Sequence, residues 1–340
     1  MAPTLISFQA ALNGAFGKKR VLLGNGFSRA CRNDMFAYEA LFDRADFAKL
    51  SPEARAVFDA LDTKDFEKVM RALREASIIA TVYAKNRPDL AKQFDADANA
   101  LREVLASAIA SSHPARPGDI EEAKYKACRE FLANFEDIYT LNYDLLLYWA
   151  VMQEELPPPI KVDDGFRQAG SLPGNYVTWE VQKTDKQSLY YLHGALHVFD
   201  ARDEIQKFTW RGTNIPLIDQ IRAALASNRF PVFVAEGTAK EKMERIQHSG
   251  FLNRSFRSFA KITGSLFVYG LGMKENDEHI LDLIEHGGIQ YLAVSIYGKP
   301  DDPENRALFK RVVSLEAMRS GGRPLKVVFF EATSAHVWGA

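Results

Sequence analysis

At 340 residues, 47% of them hydrophobic, the chain is long enough to bury a large core, which excludes disorder as its default state. Its 43 Lys plus Arg stand against 44 Asp plus Glu, so no net field draws the whole molecule to nucleic acid or to an anionic membrane, and such a partner would need a local patch. Two cysteines, Cys31 and Cys128, cannot build a disulfide framework or a four-thiolate zinc site, and they suit a reducing cytoplasm.

In chain order, residues 1–16 lack a basic start followed by an apolar run. No window reaches the roughly 18 apolar residues that span a bilayer, so neither a signal peptide nor a membrane helix is expected. Short β-rich apolar runs at 21–23, 138–141, 189–192, 231–234, 266–269, 291–297 and 325–330 have the character of strands buried on both faces. Between the first two lie helical spacings: Phe66, Val69, Met70 and Leu73; Leu101, Val104, Leu105 and Ala108; Tyr125, Cys128, Phe131, Leu132 and Phe135. They predict a helical insertion over 35–135 that caps one edge of the sheet, with breaks at Pro88 and 113–118. Residues 155–186 carry prolines at 157–159, the pair Asp163 and Asp164, and Gly165, Gly170 and Gly174; loops with a small antiparallel element are expected there. Helical periods return after the fifth run (Ile280, Leu281, Ile284) and the sixth (Ala307, Leu308, Val312, Val313, Leu315). Alternation of this kind predicts one α/β domain over 1–340 with a Rossmann-like, mostly parallel, doubly wound sheet.

The first run ends in Gly24-Asn25-Gly26-Phe27-Ser28, a glycine turn of the kind that lets backbone N–H groups approach a pyrophosphate. The third glycine of a GxGxxG fingerprint is missing, and no acidic residue ends a second strand about 20 residues on, which disfavours an ordinary Rossmann dehydrogenase. The second run ends Thr140-Leu141-Asn142-Tyr143-Asp144 and the third Leu192-His193-Gly194. An amide, a carboxylate and an imidazole thus arrive at carboxyl ends of strands, the edge at which open α/β sheets bind ligands. Each also has a plain structural reading: Asn142 and Asp144 as caps of a helix starting near Leu145, His193 as a turn residue.

In this order, the three segments resemble the signature of the sirtuin superfamily, especially its bacterial branch lacking deacylase features. Phe267-Val268-Tyr269-Gly270-Leu271-Gly272-Met273, with Asp277 and Ile280 beyond, is similar to that family's last nucleotide-contacting strand and turn. The resemblance implies a site for NAD or an ADP-ribose-type nucleotide. Gly24, Asn25, Gly26, Phe27 and Ser28 would meet the pyrophosphate, Asn142 and Asp144 the ribose with Thr140 beside them, and Gly270, Gly272 and Ser295 the adenosine half. Asp277 also falls among the nucleotide-contacting positions, and His193 would be catalytic. The zinc-binding cysteine pairs of protein deacylases are missing, so deacylation is disfavoured and no metal is expected. The zinc-free branch resembles NAD-destroying effectors of anti-phage defence that act beside a sensor or an ATPase subunit, in the cytoplasm and often as assemblies.

Cleavage of the nicotinamide–ribose bond develops oxocarbenium character, so the implied roles are Asn142 orienting a water or the ribose hydroxyls and His193 acting as general base. A nucleotide sensor without turnover shares every motif. Arg254, Arg257 and Lys261, at helical spacing, read as a solvated face rather than a nucleic-acid contact. His197, His248, His279 and His286 show no metal-ligand spacing and read as surface or packing residues.

Overall fold

The computed structural model describes residues 3–36, 38–168, 176–181, 186–210, 214–227, 229–234, 239–319 and 324–339. The chain opens with β1 (Leu5–Ile6) and α1 (Phe8–Gly14), whose first turn is capped by the Ser7 hydroxyl accepting from the Ala10 N–H. β2 (Lys19–Leu23) then runs buried through the core. Between it and the next strand lie α2 (Asn25–Phe36, kinked at Arg32), α3 (Tyr38–Arg44), α4 (Pro52–Ala60), α5 (Phe66–Tyr83), α6 (Pro88–Ser112) and α7 (Glu122–Leu132). The break expected at Pro88 is present: α5 ends at Tyr83, and Pro88 occupies the first turn of α6, where its missing N–H costs nothing. Phe42, Phe47, Phe58 and Phe66 form an aromatic cluster within this region, ring centroids 5.0 to 6.3 Å apart.

β3 (Asp137–Thr140) and α8 (Leu146–Met152) follow, then β4 (Phe166–Arg167), β5 (Tyr176–Trp179), β6 (Leu189–Tyr191), β7 (Gly194–Asp200), β8 (Ile205–Phe208), α9 (Leu217–Ala226) and β9 (Pro231–Phe233). The last third alternates regularly: α10 (Ala239–His248), α11 (Gly250–Phe259), β10 (Thr263–Tyr269), α12 (Glu278–His286), β11 (Gly288–Ile296), α13 (Pro303–Arg319) and β12 (Lys326–Glu331).

Seven strands form an all-parallel sheet in the order β1-β12-β11-β10-β2-β3-β6, flanked by helices. This is the expected α/β, Rossmann-like architecture. The central strands are apolar almost throughout, as burial on both faces demands. The chain builds outward from β2 to β3 and β6 on one side and from β10 to β11 and β12 on the other. The switch point of the topology therefore lies between β2 and β10, and the carboxyl ends of those strands flank the crevice where such sheets take ligands.

A second, five-stranded antiparallel sheet has the order β4-β5-β8-β7-β9. It holds the antiparallel element expected within 155–186, although Gly170 and Gly174 lie outside the described residues. It also corrects one expectation: the run at 231–234 is β9 of this sheet, not a member of the parallel one, because it pairs antiparallel with β7. A short apolar run carries no information on the direction of its neighbour.

Candidate functional site at the carboxyl edge of the sheet

Register places three strand ends side by side. Leu23 lies opposite Thr140, and Thr140 opposite Tyr191, so Gly24, Asn142 and His193 leave β2, β3 and β6 within a few residues of the same line. The ladder continues a step beyond the formal ends, the Leu141 N–H donating to the Leu23 carbonyl and the Leu192 N–H to the Thr140 carbonyl, each at 2.9 Å.

One hydrogen-bonded network joins four of the expected residues. The Ser28 hydroxyl donates to Asp144 Oδ2, and the Asn142 amide donates from Nδ2 both to Ser28 Oγ and to the Gly24 carbonyl, each at 2.9 Å. Its geometry fixes the orientation of the amide: a carbonyl only accepts, so Nδ2 faces Gly24 and Oδ1 points the other way. The other Asp144 oxygen accepts the Leu146 N–H at 2.8 Å, so Asp144, one residue before the Leu145 cap position of α8, satisfies the helix's first N–H as well as anchoring Ser28. Asp144 is buried, and burial pushes its carboxyl above the usual range, partly offset by these two donors. Thr140 Oγ1 accepts the Asn142 N–H at 3.0 Å and holds the backbone where the strand ends.

The glycine turn has a structural reason of its own. A Cβ on Gly26 would lie 2.5 Å from the Gly270 Cα, because the turn after β2 abuts the turn after β10 backbone to backbone at the switch point. The Gly24 and Gly26 N–H groups donate to the Tyr269 and Gly270 carbonyls at 2.9 and 2.8 Å, and the Phe27 N–H donates to the Gly24 carbonyl. Phe27 itself packs on Trp338 in the core, and the Asn25 side chain donates to the Phe36 carbonyl at 3.3 Å. Of the turn expected to meet a pyrophosphate, only Ser28 thus reaches the polar network through its side chain. On the other side of the contact, the Gly270 N–H donates to Ser295 Oγ at 2.9 Å. Gly272 borders an open groove of about 1000 Å³ between α5, α12 and α13, large enough for a nucleotide.

His193 sits at the seam between the two sheets. The next residue, Gly194, opens β7 at φ +82°, and a Cβ there would lie 1.9 Å from the Val232 carbonyl oxygen. The His193 ring stacks on His279, with 2.9 Å between their Nε2 atoms, so one ring donates and the other accepts. Both are buried beside Lys242 of α10, itself buried, and near Asp277. Burial first, and the Lys242 cation second, hold the imidazoles neutral: His193 falls well below its ordinary value and His279 falls to about 3. Burial pushes Asp277 in the opposite direction, upward.

His279 packs, as expected, on His193 and Phe256, and its Nε2 contact with His193 is what spacing could not show. It lies 86 residues from His193, and only folding brings the two together. His197 also packs, against the Tyr148 ring at 4.6 Å, while His248 and His286 are turned to carbonyls on their own helices. Among the described residues no three His, Cys, Asp or Glu side chains gather where a metal ion could be held, and no helix is long and apolar enough to cross a membrane.

The model of a family described as a domain of unknown function, DUF4917, matches residues 21–338. The chain belongs to that family. No curated protein matches it. The DUF4917 match contains the whole polar network, both histidines and every strand of both sheets except β1 and the first two residues of β2.

Proposed function

We propose that the protein binds NAD or a related ADP-ribosyl dinucleotide at the carboxyl edge of β2, β3, β6 and β10 and cleaves the nicotinamide–ribose bond, in the manner of a sirtuin-like NAD hydrolase without a zinc module. The observation that carries this reading is the Gly24–Asn142–Ser28–Asp144 network beside a neutral His193, at the ligand-binding edge of a parallel sheet. Both amide hydrogens of Asn142 are held inside the network, which leaves Oδ1 to accept from a water or a ribose hydroxyl. His193, unprotonated near neutral pH, takes the proton as that nucleophile attacks, and His279 sets which ring nitrogen of His193 is bare. Asp144 acts through Ser28 and is a positioning residue. The groove bordered by Gly272 takes the adenosine end. An effector role in anti-phage defence, in the cytoplasm and gated by a sensor or ATPase subunit or by self-assembly, follows from the resemblance in sequence alone.

The test is incubation of the purified chain with NAD, with nicotinamide and ADP-ribose followed by chromatography, alongside His193→Ala and Asn142→Ala and a calorimetric NAD titration. Release abolished in both variants is the expected outcome. Binding without release assigns the site to a sensor, and full turnover in either variant overturns the catalytic assignment.

A further inference from the structure

The amino edge of the same sheet, opposite the proposed nucleotide site, carries a second concave site. Arg20 at the start of β2, Asp137 and Tyr139 of β3, Arg254, Arg257 and Ser258 of α11, and Lys261 and Ile262 beyond it enclose a cavity of about 350 Å³. The buried face of α11 carries Phe251, Leu252, Phe256 and Phe259, so Arg254, Arg257 and Lys261, spaced three and four residues apart, form one stripe on its other side.

The charges in this cavity do not balance. Asp137 is its single carboxylate and is already engaged, accepting from Arg20 Nε at 2.8 Å, while Arg20 Nη1 donates to the Thr263 carbonyl at 2.5 Å. Arg254, Arg257 and Lys261 have no carboxylate partner among the described residues. Three cations with no carboxylate partner among the described residues thus converge on one small cavity in a chain whose overall charge is −1. Its floor is polar too: Tyr139 Oη and Ser258 Oγ lie 3.0 Å apart, and whichever hydroxyl donates, the other has a proton to offer elsewhere. The carboxyl end of α11 would by itself repel an anion, and the side chains of Arg257 and Lys261 lie at and just past that end.

We propose that this cavity is a binding site for a small molecule bearing a terminal phosphate group. Three cationic donors and a hydroxyl around one cavity match a tetrahedral dianion with three peripheral oxygens better than a carboxylate with two. The volume is at the small end for ligand sites and exceeds a bare phosphate, which leaves room for the body of an ester, whereas a nucleic-acid duplex cannot enter a recess of this size. Arg254, Arg257 and Lys261 are exposed, as a solvated face requires, and the fold adds what spacing could not show by setting that stripe beside Arg20, Tyr139 and the start of β3.

Calorimetric titration of the full chain with inorganic phosphate and, separately, with adenosine 5′-monophosphate, at constant ionic strength, tests the site. The expected result is saturable binding weakened about tenfold or more in each of Arg257→Gln and Lys261→Gln and unchanged in Arg306→Gln, an exposed cation on α13. Both substituted side chains are exposed, so the fold tolerates their loss. Tighter binding of the nucleotide than of inorganic phosphate identifies an ester as ligand, and equal binding identifies the free ion. No saturable binding up to about 10 mM overturns the proposal. Nucleotide binding that both variants leave unchanged also overturns it, since that ligand then occupies the opposite edge. So does a single-stranded oligonucleotide that binds more tightly than either probe and is lost in the same variants, because the surface is then a nucleic-acid interface.

Discussion

His113, just past the end of α6, is poised to make the fold acid-sensitive. Its ring is buried edge-on against Trp149 at 4.4 Å, its Nδ1 contacts the Pro114 carbonyl at 3.1 Å, and its Nε2 accepts the Leu145 N–H at 3.2 Å. This last bond requires a bare Nε2, so the neutral Nδ1–H tautomer is the one the structure holds. Burial, with a smaller push from Arg222 and against the Pro114 carbonyl, lowers the imidazole from 6.5 to about 4. A folded value below the unfolded one means that the unfolded chain binds the proton first, so this stabilisation is full above pH 6.5 and is lost as pH falls through the unfolded value toward the folded one. Between about pH 7 and about pH 5 the loss is about 2 kcal/mol, rising to about 3 kcal/mol below the folded value. Urea unfolding of the parent chain and of His113→Gln at both pH values checks this. Glutamine can accept from Leu145 but does not titrate, so the variant, less stable at either pH, loses about 2 kcal/mol less than the parent on acidification. His193, His197 and His279 act in the same direction and Asp144 and Asp277 oppositely, but all five are common to both proteins and cancel in the difference. Equal losses in the two proteins refute the reasoning.

Gly26→Ala forces a Cβ against the Gly270 backbone at 2.5 Å, neither side of which can rotate away, and lowers stability by about 2 kcal/mol or more, read as a reduced urea midpoint. Arg129 is buried and donates to the carbonyls of Ala150, Val151, Leu156 and Pro158; Arg129→Lys keeps the charge but not the fork and costs about 2–4 kcal/mol by the same measurement. His279→Ala removes the ring that orders His193, so the nitrogen NMR signals of His193 shift toward a mixture of tautomers, whereas His279→Asn, which can still donate or accept, restores one of them; unchanged signals in the alanine variant remove His279 from the site.

The parallel sheet was legible in the sequence because its central strands carry uninterrupted apolar runs, 266–269 and 291–294, followed by glycine or a polar residue, a pattern imposed by burial on both faces. β1 was not legible, since its two residues, Leu5 and Ile6, make no run. β7 was hidden because its start at Gly194 follows His193 directly, and the glycine reads as a turn when it is the change of sheet. Asn142, Asp144 and Ser28 could be singled out because strand ends concentrate polar groups, yet their mutual hydrogen bonds depend on register, which sequence does not carry. The missing His279, and the cavity under Arg257, share one physical cause: each is a meeting of side chains on elements distant in sequence, and neither leaves a local spacing to read.

The outermost strand pair joins residues far apart in the sequence. Leu5 lies opposite Phe329 and Ile6 opposite Phe330, and the Phe8 N–H donates to Ser334 Oγ, 326 positions away. A parallel contact of such separation can form only after everything between has been synthesised. β1 therefore cannot pair with β12 before β12 has been made, so this edge of the sheet closes only late in folding.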